Sequence, residues 1–218
     1  MIAILRIIVI LGGVAGAVLF FLRQLAGSGQ WRKGISEKDL NLLKDAIVEF
    51  NSDLVEIDQE ELPLLSLKQK RRRLKRNSRR MLAGTFQSIY EENLCSYAVM
   101  NYQQGQHLIL VNTTDREFVY RVKSTGTDIY ANGSHVGILN TEGNLTHPIN
   151  KDVLATIDNR FSPKHQVISK GGKNIASVLN PLVKYEDHER VFHNLELENE
   201  DKLILLSLTF LNMIERTQ

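Results

Sequence analysis

Cysteine is almost absent from this chain of 218 residues, in which Cys95 stands alone. A single cysteine excludes an intrachain disulfide, which agrees with a domain that folds in a reducing compartment. No cysteine directly follows the apolar N-terminal stretch, so a lipoprotein signal is excluded as well. The chain must therefore be held together by an ordinary folded core rather than by covalent cross-links.

Motifs for catalysis and metal binding are also missing. His188 and His193 are five residues apart, a spacing that matches no zinc signature. Cys95, His107 and Asp115 could be imagined as a nucleophile set, but nothing beside Cys95 forms a nucleophile elbow or an oxyanion hole. A small buried thiol is the commoner role for such a cysteine. We therefore expect no metal, no cofactor and no catalytic residue.

Charged and amide side chains are missing from positions 7–22, a run of sixteen residues. As a helix this run is about 24 Å long, which is short of the roughly 30 Å of a hydrocarbon core. The four apolar residues before Arg6 extend the span if Arg6 snorkels to the interface, while Arg23 and Trp31 mark the other side. The sequence predicts a transmembrane anchor over residues 1–27; a cleaved signal peptide would need a polar start and a clearer cleavage site.

The flanks of the anchor predict its orientation. Four basic residues follow it within a short distance: Arg23, Arg32, Lys33 and Lys38. On the N-terminal side of the apolar run, the only basic groups are Arg6 and the α-amine. The positive-inside rule therefore places the N-terminus outside and the following domain in the cytosol. Glycosylation sequons at Asn112, Asn132 and Asn144 would matter only on a lumenal face, and we interpret them as turn sequences.

Small residues within the anchor lie on one helix face. They are Gly12, Gly13, Gly16 and Ala17, in two small-x-x-x-small pairs. This spacing allows a second helix to approach closely. The anchor could thus pair with a second copy of the chain and form a homodimer.

Acidic residues are missing from positions 68–80, where nine basic residues are concentrated. This run could contact anionic headgroups, pair with the acidic residues upstream, or bind nucleic acid. The third alternative lacks interleaved aromatics and a reader fold, so no nucleic acid is expected. The residues assigned to lipid headgroups are Lys68, Lys70, Arg71, Arg72, Arg73, Lys75, Arg76, Arg79 and Arg80.

Between residues 37 and 61 the balance is reversed, with nine acids and two bases. Apolar residues here recur at helical spacing after a capping-box-like Ser36: Leu40, Leu43, Ile47, Phe50 and Leu54. Residues 28–83 are therefore predicted to be a helical, charge-segregated linker next to the membrane. Its acidic and basic halves could form an antiparallel helical hairpin.

From residue 84 onward the pattern changes to short alternating apolar runs between Gly, Asn and Asp. Eight such runs lie between residues 96 and 179, and Asn132-Gly133 and Gly171-Gly172 predict two-residue hairpin turns. Residues 203–214 are apolar on nearly every face, so this helix must be buried in protein. The predicted fold is mainly β, with an antiparallel barrel or sandwich over residues 84–218 that encloses the C-terminal helix.

Two segments of this domain, DIYANGSHVGIL over 128–139 and DKLILLSLTFLNMI over 201–214, carry a resemblance to a known fold. The β-domain with its apolar C-terminal helix resembles the tubby C-terminal-like superfamily, which includes tubby domains, phospholipid scramblases and LURP-one-related proteins. The resemblance covers roughly residues 84–216. It implies a twelve-strand barrel around a central helix, with phosphoinositide binding or regulation at a membrane, and it assigns no functional residue.

These observations together predict a membrane-anchored, non-enzymatic module that binds lipid or protein. Its β-domain would be cytosolic and held at the membrane by the anchor and the basic linker. The expected partners are membrane lipids, including anionic headgroups, and a protein that the sequence does not identify. The alternative is a membrane-associated enzyme whose site is assembled from scattered loop residues of the β-domain.

Overall fold

The computed structural model describes residues 36–76, 79–159, 162–184, 189–196, 198 and 201–215. In this part of the chain, twelve strands form a single antiparallel sheet in which each strand pairs with the next along the sequence. The first six are β1 (Leu65–Arg76), β2 (Arg79–Ser88), β3 (Asn93–Asn101), β4 (His107–Asn112), β5 (Glu117–Lys123) and β6 (Gly126–Ala131). The second six are β7 (Ser134–Leu139), β8 (Asn144–Thr146), β9 (Val153–Asp158), β10 (His165–Lys170), β11 (Lys173–Leu179) and β12 (Phe192–Leu195).

Two α-helices flank the sheet in sequence. Helix α1 (Glu37–Ile47) precedes it and continues as a 3-10 turn over Val48–Phe50. Helix α2 (Lys202–Glu215) follows it. Shorter 3-10 turns occur at Leu62–Leu64 and Gln103–Gly105.

The sheet curls until its two edges meet, which produces a nearly closed barrel. The backbone N–H of Leu67 donates to the carbonyl of Glu189 at 3.0 Å, and that of Val191 donates to the carbonyl of Leu65 at 2.8 Å. Ser66 and Arg190 form a bridge between these two contacts. The closure therefore joins only the first three residues of β1 to the segment before β12.

Helix α2 fills the barrel. Residues 205–214 are all buried, and their apolar members belong to the same core cluster as the inward-facing side chains of the strands. Phe210 meets Phe118 edge to face at 5.5 Å between ring centroids. Asn212 is satisfied inside this core because its Nδ2 donates to Oε1 of Gln166 at 2.6 Å. A helix that is apolar on nearly every face is stable only when it is enclosed in this way.

Helix α1 covers a second core on the outside of the barrel. Its buried Leu40, Leu43 and Ile47 form one stripe, as the helical spacing predicts. They pack against the outward-facing side of β2 to β6 in a cluster that includes Met81, Ala83, Ala98, Met100, Leu108, Leu110, Val119 and Tyr130. The side chain of the predicted cap, Ser36, makes no capping hydrogen bond; its backbone carbonyl accepts from Asp39 and Leu40 instead.

Much of the predicted β-domain is confirmed. The eight strands expected between residues 96 and 179 are β3 to β7 and β9 to β11. Asn132 and Gly133 have φ of 45° and 84°, and Gly171 and Gly172 have φ of 58° and 81°. Both pairs connect neighbouring strands, which is the primed hairpin turn that their sequences indicate. The mainly β fold and the C-terminal helix are confirmed as well.

The prediction of a helical linker over 28–83 is wrong for residues 65–76 and 79–83, which lie in β1 and β2. The barrel therefore includes these residues, and the predicted hairpin of an acidic and a basic helix does not exist. Strand β2 was not recognised because it is buried on both faces and therefore shows no alternation of polar and apolar residues. Met81 and Ala83 lie under α1, while Leu82 and Phe86 face the barrel core. The short strands β8 and β12 were not predicted.

The predicted anchor at 1–27 lies outside the described residues, together with its self-association positions Gly12, Gly13, Gly16 and Ala17. None of the helices in the part of the chain that the structure describes has the length and apolar character that a bilayer crossing requires.

Candidate anion-binding groove on the β1–β2 hairpin

The second half of β1 is a free edge of the sheet. Past Leu67 its inner neighbour is β2, and no described residue pairs with its other side. An exposed edge is a template for unwanted strand pairing, and charged side chains are a common protection against this. Protection of this edge therefore explains part of the basic run without any ligand.

The register of the hairpin divides the basic residues between two faces. Residues directly opposite each other in an antiparallel pair point to the same side of the sheet. Arg71 is opposite Gly84, Arg73 is opposite Leu82, and Lys75 is opposite Arg80. Since Leu82 packs on the barrel core, Arg71, Arg73, Lys75 and Arg80 all lie on the inward-facing side of the hairpin.

These four cations surround a groove of about 670 Å³. Its floor is apolar and comes from three neighbouring strands, β1 to β3. None of its described lining residues is acidic. The lining residues are Arg71, Arg73, Leu74, Lys75, Arg80, Met81, Leu82, Val99 and Asn101.

Within the described part of the chain, the cations of the groove have no acidic partner. All four are exposed, and none makes an ion pair or a side-chain hydrogen bond with a described residue. Arg71 is close enough to the buried Tyr97 to oppose the rise that burial causes in the pKa of that phenol. The Tyr97 hydroxyl stays neutral and donates to Oε1 of Gln69 at 2.7 Å. The groove therefore presents uncompensated positive charge over an apolar surface.

The cations on the opposite face behave differently. Nη1 of Arg72 lies 3.1 Å from Oε1 of Glu49, just after α1. Nζ of Lys68 lies 2.6 Å from Oε1 of Glu91 and lowers the pKa of that carboxyl, chiefly through their hydrogen bond. Lys70 is exposed and does not line the groove. Of these two ion pairs, only the one between Arg72 and Glu49 joins the acidic segment over residues 37–61 to the basic run.

The nine predicted headgroup contacts are therefore separated by the structure. Arg71, Arg73, Lys75 and Arg80 converge on the groove, whereas Lys68, Lys70 and Arg72 lie elsewhere. The side chains of Arg76 and Arg79 lie outside the described part; their backbones pair at the end of the hairpin. Sequence reasoning missed the apolar floor and Asn101 because their contribution depends on strand pairing.

A close approach of two backbones shapes the hairpin at Gly84. A Cβ on this residue would lie 2.1 Å from the carbonyl oxygen of Lys70 and 2.9 Å from Cα of Arg71. Contacts below 3.0 Å are sterically forbidden, so only glycine fits here. The absence of a side chain at Gly84 lets β1 pair closely with β2 at Arg71, which lines the groove.

The polypeptide enters the described domain beside this groove. Near the start of α1, Oδ2 of Asp39 accepts a hydrogen bond from the hydroxyl of Tyr102 at 2.6 Å. Tyr102 directly follows Asn101, which lines the groove. The segment that leads back to the predicted anchor therefore joins the barrel at the end of β3 that also lines the groove.

The other residues considered for chemistry do not form a site. His107 and Asp115 lie at opposite ends of β4, where Nδ1 of His107 contacts Oδ1 of Asn101 at 3.0 Å and Asp115 pairs with Arg116. Burial raises the pKa of the Cys95 thiol to about 12, so it is not a thiolate nucleophile.

The two histidines whose spacing matches no zinc signature are only partly described. The ring of His193 stacks on His165 at 4.7 Å between ring centroids, while His188 lies outside the described residues. No cluster of three or more His, Cys, Asp or Glu suited to a metal occurs among the residues that the structure describes.

Comparison with known proteins gives no relative: no family model, no curated protein and no solved structure matches this chain. The resemblance to the tubby C-terminal-like superfamily therefore stays a prediction.

Proposed function

We propose that this protein is a membrane-anchored, non-enzymatic module whose β-domain binds anionic lipid headgroups in the β1–β2 groove. The observation that carries this proposal is the set of four unpaired cations around an apolar floor. A phosphate or carboxylate group would be held by Arg71, Arg73, Lys75 and Arg80, and the adjoining glycerol and acyl carbons would cover the partly exposed Leu82. Arginine is well suited to this role because its planar fork binds oxyanions with two parallel hydrogen bonds.

The position of the groove supports the same function. Nine peptide units separate residue 27, the end of the predicted anchor, from residue 36, and they can span at most about 30 Å. Residue 36 therefore lies within that distance of the end of the predicted anchor, and it is close to Tyr102, the neighbour of Asn101 in the groove. In the proposed topology the N-terminus is outside and the barrel is cytosolic, where the leaflet is negatively charged.

The size of the effect can be estimated from the charge. Each basic residue near an anionic leaflet contributes about 1 kcal/mol, so four contribute roughly 4 kcal/mol before screening by salt. That is sufficient to orient a domain that is already tethered. The barrel interior is occupied by α2, which favours binding at the rim over a catalytic site enclosed in the barrel.

Hydrogen–deuterium exchange of the full chain in lipid nanodiscs tests the proposal. We expect the amides of the β1–β2 hairpin to exchange more slowly in phosphatidylcholine discs that contain phosphatidylserine than in discs without it. The variant R71Q/R73Q/K75Q should lose this difference. The matched control K68Q/K70Q/R72Q removes the same charge from the same strand but leaves the groove intact, so it should keep most of it.

The two variants separate a defined site from general attraction. Equal loss in both would show that charge alone acts and that the groove has no role. No change between the two kinds of disc in the unaltered protein would refute lipid binding by the hairpin altogether. The topology is tested by protease treatment of intact cells that carry a C-terminal tag, because digestion from outside would contradict a cytosolic barrel.

A further inference from the structure

The free edge of β1 offers more than charged side chains. Between Lys68 and Arg76 its backbone N–H and C=O groups on one side have no described partner. Backbone groups are strong donors and acceptors, and a free edge satisfies them by adding a strand. The segment from Arg71 to Lys75 is long enough to pair with a short extended peptide.

Cavities flank this edge on both faces of the sheet. On the inward face lies the groove with Arg71, Arg73 and Lys75, which recur at the two-residue spacing of one strand face. On the outward face lies a second cavity of about 400 Å³ between α1 and β1. Ala46, Val48 and Leu74 give it an apolar wall, and Val48 is 65% exposed. The remaining lining residues are charged: Asp45, Glu49, Arg72 and Lys75. One face of the edge is thus cationic and the other is partly apolar.

The charges on this edge decide which occupant fits. A second copy of β1 would place Arg71, Arg73 and Lys75 opposite like charges, which is unfavourable in a strand pair. A lipid supplies no ladder of backbone donors. An extended peptide with acids on alternate residues supplies both the ladder and the complementary charge.

We propose that the free edge of β1 binds an acidic, extended protein segment by β-strand addition. Carboxylates on one face of the added strand would lie against Arg71, Arg73 and Lys75. An apolar side chain on its other face would enter the cavity beside Leu74 and Val48. Strand addition goes beyond the lipid binding proposed above, and it predicts competition between the two ligands. Because the same three cations serve both, the acidic strand and an anionic membrane surface exclude each other from the hairpin.

Fluorescence anisotropy on the full chain, held in uncharged phosphatidylcholine nanodiscs, tests the proposal. The probe is a labelled, acetylated and amidated peptide in which Glu alternates with Val. Two further peptides carry N-methyl groups on one or the other alternate set of backbone amides. Only one set can donate to β1, so one N-methylated peptide should bind at least about tenfold more weakly, through the loss of two or three ladder hydrogen bonds, and the other should bind almost unchanged.

Variants of the protein locate the binding site. R71Q/R73Q/K75Q should weaken binding of the probe at least about tenfold, and the matched variant K68Q/K70Q/R72Q should weaken it less. Val48→Asp alters an exposed residue and should also weaken binding, because it replaces part of the apolar wall of the second cavity with an acid that repels an acidic peptide. Circular dichroism of each variant establishes that the barrel is folded.

The outcomes distinguish this proposal from lipid binding. Equal affinity of the two N-methylated peptides would overturn strand addition, since attraction of charge alone does not depend on which amides are free. Absence of peptide binding, together with hairpin protection in anionic discs, would overturn it while leaving lipid binding intact. Peptide binding that persists undiminished in anionic discs would refute the mutual exclusion.

Discussion

Replacing Phe210 with alanine measures how far α2 supports the barrel from inside. The Phe210 side chain is 0% exposed and packs edge to face on Phe118. Truncating a buried phenylalanine to alanine costs about 3–5 kcal/mol through lost burial and the cavity left behind. In a domain of this size each kcal/mol lowers Tm by roughly 2–4 °C, so we expect a decrease of roughly 6–20 °C.

Thermal unfolding of the full chain in detergent micelles, followed by circular dichroism, measures this decrease. Tyr90→Ala is the control, because Tyr90 is also aromatic but is 68% exposed, and its truncation should cost less than about 0.5 kcal/mol. Should the Phe210→Ala protein fail to fold, Phe210→Leu removes less volume and should cost about 1–2 kcal/mol. If Phe210→Ala unfolds at the same temperature as Tyr90→Ala, α2 does not form the centre of the core.

Three further perturbations test the hairpin and the histidines. Gly84→Val should cost at least about 1–3 kcal/mol in denaturant unfolding, because its Cβ would overlap the carbonyl oxygen of Lys70. Below about pH 6.5 the protein should lose stability, because burial lowers the pKa of His135 in the folded state. The unfolded chain then binds a proton at this histidine more readily than the folded chain does. A His135→Phe variant whose Tm depends on pH as strongly as that of the unaltered protein would contradict this. Arg72→Gln should change the unfolding free energy by less than about 1 kcal/mol, because both Arg72 and Glu49 are more than half exposed.

Eight of the strands from β3 onward could be predicted because each shows one local signal, whereas β8 and β12 are too short to show one. Their apolar runs are short, and glycine turns such as Gly171-Gly172 mark their ends. The C-terminal helix was equally clear, since an all-apolar stretch too short for a bilayer has no stable place except a core. These features depend on neighbours in sequence, so no knowledge of the tertiary structure is needed to recognise them.

The first two strands could not be predicted for the opposite reason. Arg71 and Arg72 lie on different faces of β1, yet both are exposed, so the strand shows no alternation of polar and apolar residues. In β2 the outward-facing Met81 is buried by α1, a helix that is not adjacent to β2 in sequence. An unbroken basic run followed by an unbroken buried run matches the composition of a helical linker as well as it matches a hairpin.

The candidate groove could be predicted only in part. The sequence identified Arg71, Arg73, Lys75 and Arg80 as members of a basic run. It could not separate them from the other five, because that separation follows from the register with β2. Val99 contributes to the floor from a third strand, which sequence spacing cannot indicate.

The face on which each cation of β1 lies separates the cations that only protect an edge from those that line the groove. Protection of an edge requires only that charges be present, and pairing with an acid does not weaken it. Arg72 and Lys68 are of this kind, since each has a carboxylate partner. Arg71, Arg73 and Lys75 repel one another over an apolar floor that would be better covered, and a fold retains such repulsion only at a cost in stability. An anionic ligand removes both the repulsion and the exposed apolar surface, which is why the unpaired face of the hairpin, and not the basic run as a whole, is the functional surface that we propose.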